Sequence, residues 1–157
     1  MAGARKVELD CGASFGLAAA SVVRLRAGEV FEHSEGVLDL DDVERVHDMR
    51  VATRRLRAAL EVFATAFPRK PHRKALKRVK ALADALGERR DADVEIELLE
   101  GLAGEAAPRD REALAALIEE LRAKQRRANE GLAPFVARKR LKKLRRRLRK
   151  LARKAVR

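Results

Sequence analysis

Residues 47–67 read HDMRVATRRLRAALEVFATAF, and their periodicity decides the fold. At about 100° per residue, with His47 at zero, Met49, Ala52, Leu56, Ala59, Leu60, Phe63 and Phe67 fall between roughly 120° and 220°. That is one apolar stripe, the mark of a helix laid against a core. His47, Arg50, Arg54 and Arg57 fall between about 280° and 360°, on the side facing away. Val51, Ala58 and Val62 lie beside this basic face, with Arg55 at the border. An ordinary surface helix mixes signs, because opposite charges at i,i+4 stabilise it. Between Arg50 and Arg57 the exposed side holds no acid, so the stacked cations ask for an anion from outside.

Composition supports an all-α fold around this helix. There is no Tyr or Trp, the five Phe residues are the only aromatics, and Ala, Leu, Arg, Glu and Lys dominate. Those are helix formers, and 157 residues suffice for one domain with a real core. A net charge of +13 points to a polyanionic partner. A lone cysteine, Cys11, cannot form an internal disulfide and is read as an incidental thiol near the terminus. No apolar run approaches a membrane span and the N-terminus lacks a signal-peptide core. The expected compartment is the cytoplasm.

Outward from the central helix, the chain reads as a bundle of five to six helices. Ser14 is an N-cap for a first helix to about Phe31, carried by Phe15, Ala18, Val22 and Leu25. Residues 32–40 form a loop in which His33 is solvated. Asp41 caps the central helix, with Glu44 completing a capping box, and Pro68 ends it. Pro71 opens a third helix with His72, Leu76, Val79, Ala83 and Leu86 on one face and Arg73, Lys77, Lys80 and Asp84 along its flank. His72 reads as a partly exposed residue at that start. Gly87 is the expected stop. An acidic fourth helix spans about Asp91 to Leu102, where Asp91 and Asp93 complement the dipole and pair with nearby arginines in preference to a metal. A fifth runs from about Arg109 to Glu130, its apolar stripe flanked by Arg122 and Arg126, and Gly131 and Pro134 close it. The last helix carries a seam of Leu141, Leu144, Leu148 and Leu151. From Arg138 to Arg157 thirteen of twenty residues are Lys or Arg and none is acidic, so residues 1–137 carry 24 bases against 24 acids. Arg138, Lys142, Arg145 and Arg149 share one edge of the seam.

Two strings carry a family resemblance. HDMRVATRRLRAALEVF resembles the signature of the conserved histidine α-helical domain, CHAD, with its His-x-x-Arg-Val start followed by Arg-Arg-Leu-Arg. LADALGERRDADV, residues 82–94, is similar to that family's Leu-Gly-x-x-Arg-Asp-x-Asp-Val segment. The resemblance implies an all-helical domain that binds inorganic polyphosphate through a basic channel, in the cytoplasm and in association with polyphosphate granules. Family members commonly contain two related halves. This sequence, from about residue 14, resembles the first half and the opening helix of the second, as a single half-length domain over 1–157. Either two copies associate or one bundle binds along an open groove.

The candidate polyphosphate-binding set is therefore His47, Arg50, Arg54, Arg55, Arg57, Arg73, Lys77, Lys80, Arg90, Arg122, Arg126, Arg138, Lys142, Arg145 and Arg149. Arginine forks make bidentate, charge-assisted contacts to phosphate oxygens, and His47 reads as a neutral or switchable donor among them. No Gly-rich phosphate loop, Cys/His zinc spacing or Ser/His/Asp grouping is present, so no catalysis, metal or cofactor is expected. A nucleic-acid binder holding the phosphate backbone through the basic tail is the second choice, weakened by the lack of stacking aromatics. The leucine seam docks on its own bundle or on a second copy. The second arrangement would give a weak homodimer strengthened by polyphosphate.

Overall fold

Ser14 starts the first helix as expected: its hydroxyl accepts from the Leu17 amide at 3.4 Å, and α1 spans Phe15–Glu32. The computed structural model describes residues 3–10 and 12–155; Cys11 and Arg157 lie outside them. Four further α-helices follow, α2 (Val43–Val62), α3 (Arg69–Glu105), α4 (Pro108–Val136) and α5 (Arg138–Arg153), with a 3-10 turn at Ala64–Ala66. No strand occurs among the described residues, so the fold is an all-α bundle.

α1 packs on α2 and α5, and α3 packs on α2, α4 and α5. The helices α1, α2, α3 and α5 thus close a four-helix ring, and α4 packs on α3 and α5, adding Leu132 and Val136 to the core. The stripe read from α2 lines the core: Met49, Leu56 and Leu60 are fully buried, joined by Val46 and Thr53. Thr53 satisfies its buried hydroxyl by donating to the Met49 carbonyl at 2.7 Å. Val23 and Val30 from α1, Val79 and Leu86 from α3, Leu132 from α4 and Leu148 and Leu151 from α5 complete it.

Three boundaries differ from expectation. Gly87 does not end the third helix, and residues 69–105 form one helix of 37 residues. A glycine inside a helix costs only about 1 kcal/mol. Ala85, Leu86, Arg89 and Ala92 around it are buried, so tertiary packing overrides the break. Gly131 and Pro134 likewise fail to stop α4 where they stand. Proline so near a C-terminus forfeits little, and the chain turns at Ala137 (φ −54°, ψ 133°) three residues later. Asp42, not Asp41, sits at the N-cap of α2 and makes no capping bond. Its carboxylate instead accepts from Arg45 Nε at 2.8 Å, and Arg45 also donates to the Glu35 carbonyl. That arginine lies across Gly36 (φ +67°), where a side chain would collide with it.

His72 is buried rather than partly exposed. Its Nε2–H donates to the Leu60 carbonyl at 2.7 Å and its ring stacks on Phe67 at 6.1 Å, fixing the start of α3 against the end of α2. The leucine seam of α5 is spent inside the chain: Leu141, Leu144, Leu148 and Leu151 are at most 9% exposed. Burial worth roughly 1.5–3 kcal/mol each holds α5 in the ring. The seam therefore offers nothing to a second copy, and the homodimer expected from it loses its basis.

The string ERRDADV lies in the middle of α3, where it builds a buried polar cluster. Arg89, 0% exposed, pairs with Asp93 one turn on. Its remaining nitrogens reach Asn129 Oδ1 at 3.3 Å and the Asp39 carbonyl at 3.4 Å. Gln125 Nε2 donates to Asp93 Oδ1 at 2.7 Å and Asn129 Nδ2 to the Leu38 carbonyl at 2.9 Å. One arginine–aspartate pair thus ties the α1–α2 loop, α3 and α4 together. The expectation that Asp93 serves a neighbouring arginine holds. Asp91 stays exposed beside it.

Candidate functional site: a cationic groove between α3 and α5

From Val62 to Ala83 the chain holds no acid. In α3 that run places Arg69, Lys70, Arg73, Lys74, Lys77, Arg78 and Lys80 on the outer side, because His72, Ala75, Val79 and Leu82 turn inward. α5 runs antiparallel along this half of α3, and its leucines set one flank of cations against it. Two adjoining cavities of about 420 and 340 Å³ fill the gap and share Lys74 and Arg147. Lys70, Lys77 and Arg78 join Lys74 on the α3 side; Arg140, Lys143, Arg146, Lys150 and Lys154 join Arg147 on the α5 side. Ala81, Leu82, Phe135, Leu144 and Leu151 form the floor.

Ten cations therefore line one groove, and among the described residues no ion pair engages any of them. The Arg147 guanidinium is held below the ordinary arginine value by burial, with Arg78 and Arg146 adding to it. Arginine stays charged regardless, so this is repulsion awaiting a counter-anion. Arg140 lies over the Phe135 ring at 5.8 Å, which orders it at one end of the groove.

The expected residues fall in several places. Lys77 lines the groove, and also a neighbouring depression with Arg73, Lys80 and Asp84. Arg138, Lys142, Arg145 and Arg149 occupy the opposite flank of α5, where Arg145 lies over Phe31 of α1 at 5.4 Å. On α2, Arg54 is exposed and His47, Arg50 and Arg55 are half-buried, and none of them lines the groove. Arg57 and Lys80 both hold Glu61, at 3.1 Å each. Glu61 lies at about 320° on the wheel of α2, so the basic face does carry an acid one turn past Arg57. Arg122 is committed to Glu100 and Glu119 at 2.9 and 2.8 Å, and hydrogen bonds to these two raise its pKa. Arg126 is exposed on α4, and Arg90 is half-buried with Nη1 unpartnered among the described residues.

The groove residues other than Lys77 were not in the expected set. Both flanks of α5 are cationic, so its sequence alone does not say which one meets α3. A usable signal was the i, i+4, i+8 row of Lys70, Lys74 and Arg78 inside the acid-free run.

Glu61 pairs with Lys80, which shares the depression beside the groove with Lys77. Lys80 first and then Arg57 hold its carboxyl below the usual range, so the ion pairs persist above that range and are lost as pH falls through the lowered value. Glu61→Gln is expected to release both cations and tighten binding of an anionic chain several-fold at neutral pH. The pairs are exposed, so stability should change by less than about 1 kcal/mol. Titration with a polyanion and thermal melts of the same samples check both.

Fold and groove together define an all-helical bundle with a cationic face. The chain belongs to the CHAD domain family, whose model matches residues 21–157. No curated protein matches the chain. None of the helices among the described residues is long and apolar enough to cross a membrane.

Proposed function

We propose that the chain binds inorganic polyphosphate, without catalysis, along the α3–α5 groove. The observation that carries this is ten cations lining an open groove with no acid among them. A phosphate chain supplies repeated charge at close spacing, and each Lys or Arg it meets releases a counterion. Arg78, Arg146 and Arg147 offer flat forks for two oxygens at once, while the lysines act as adaptable point charges. The expected location is the cytoplasm, in contact with polyphosphate granules.

Backbone contact with duplex nucleic acid is the competing reading. It needs charge alone, whereas the groove has an apolar floor, close walls and one aromatic ring, Phe135, already covered by Arg140. Polyphosphate should therefore bind more tightly than duplex DNA of matched total charge. A competition titration at physiological salt decides it: DNA displacing polyphosphate at equal charge would favour the nucleic-acid reading.

A further inference from the structure

Beyond the bundle, the second half of α3 and the first half of α4 continue as a two-helix arm. Between residues 94 and 121 only Ile96 and Ile118 are buried. Val94, Leu98 and Leu102 are 45, 63 and 49% exposed, at i, i+4 and i+8. They form one apolar ridge, about 12 Å long at 1.5 Å per residue. These apolar side chains on a charged arm are uncovered surface with no partner among the described residues.

Charge says what covers it. Residues 91–120 hold ten acids and two bases, a net −8 that leaves +21 on the rest of the chain. Asp91, Glu97 and Glu105 flank the ridge, and among the described residues no ion pair engages them. The surface that complements an acidic arm with an apolar ridge is a cationic groove with an apolar floor. The α3–α5 groove has that floor and runs for about 18 Å between Lys70 and Leu82. The arm cannot reach its own groove, because α3 is a single helix carrying both. Arm against arm would oppose −8 to −8.

We propose that the arm docks, through Val94, Leu98 and Leu102, into the α3–α5 groove of a second copy of this chain. The contact is heterologous: a docked pair keeps one free arm on one copy and one free groove on the other, so association is head to tail and open-ended. Carboxylates of the neighbouring copy then occupy the groove when no other anion is there, and polyphosphate displaces them. That displacement rests on the function proposed above; the docking does not.

Light scattering across a concentration series tests it. At low salt the mean mass of wild-type protein should rise with concentration, and in about 1 M salt, where charges are screened beyond roughly 3 Å, it should fall to one chain. Leu98→Lys with Glu105→Lys alters the arm; Lys143→Glu with Arg147→Glu alters the groove. All four positions are solvent-facing or half-exposed, and circular dichroism verifies that both variants stay helical. Each variant alone should lose association roughly tenfold or more, since like charges then meet across the contact. Mixed in equal amounts, they should associate again, because an intact arm of one variant meets an intact groove of the other. Wild-type protein that stays monomeric at low salt overturns the proposal, and so does either variant associating as the wild type does. Added polyphosphate should dissolve the wild-type assemblies. Assemblies that follow the variant pattern but survive polyphosphate would leave the docking standing and count against the groove as the polyphosphate site.

Discussion

Arg89→Ala is expected to remove about 3–5 kcal/mol of stability, the cost of leaving a buried charge without its partner. The Asp93 side chain is fully buried, and its Oδ2 already has no hydrogen-bond partner among the described residues. Without the guanidinium, Asp93 Oδ1 keeps the Gln125 amide at 2.7 Å and nothing charged. The Asp39 carbonyl and Asn129 Oδ1 also lose a donor, so the loop before α2 loosens from α3 and α4. Burial also pushes the Arg89 pKa down, ahead of the effect of Arg90, which shows that the site is costly to charge. Replacing the pair together, Arg89→Leu with Asp93→Leu, should cost much less than the two single changes added. Urea unfolding of the wild type, Arg89→Ala, the two single leucine variants and the double variant reads this directly. A loss below about 1 kcal/mol for Arg89→Ala would show that the cluster does not hold the helices together.

The largest functional effect is expected from removing Lys74, Arg78, Lys143 and Arg147 together. Lys74 and Arg147 line both parts of the groove, and Arg78 and Lys143 line one part each. At roughly 1 kcal/mol per solvent-screened, charge-assisted contact, the quadruple alanine variant should bind polyphosphate on the order of a thousandfold more weakly. The slope of log affinity against log salt should shrink by about 3, taking roughly 0.7 per phosphate contact as for single strands. Stability should hold or rise, because the repulsion between Arg78 and Arg147 goes with them. Arg50→Ala with Arg54→Ala should change both quantities far less, since neither lines the groove. A quadruple variant that binds as the wild type does would remove the groove from the account.

Much of the fold was legible in α2 and α5. Their apolar residues recur at helical spacing, and the stripe of Met49, Leu56 and Leu60 and the seam of Leu141 to Leu151 are buried. The boundaries at Gly87, Gly131 and Pro134 were not legible, because a local breaker costs little where neighbouring residues are packed on both sides. Charge was the harder text. A cation on a helical wheel shows which side it faces, but not which helix comes to lie beside it. Arg57, Lys80 and Arg122 look free in sequence and are paired through Glu61, Glu100 and Glu119. Lys143 and Arg147 look like any other tail cations until α5 is laid against α3. The second family string gave Arg90 to the expected set; in the fold its Arg89 and Asp93 are interior supports.

The groove is the central claim, and a crystal structure with a short polyphosphate bound tests it most directly. Phosphate density should run between α3 and α5, with oxygens in hydrogen-bond range of Lys74, Arg78, Lys143 and Arg147. Density along the outer face of α2 at His47, Arg50 and Arg54, with the groove empty, would contradict it.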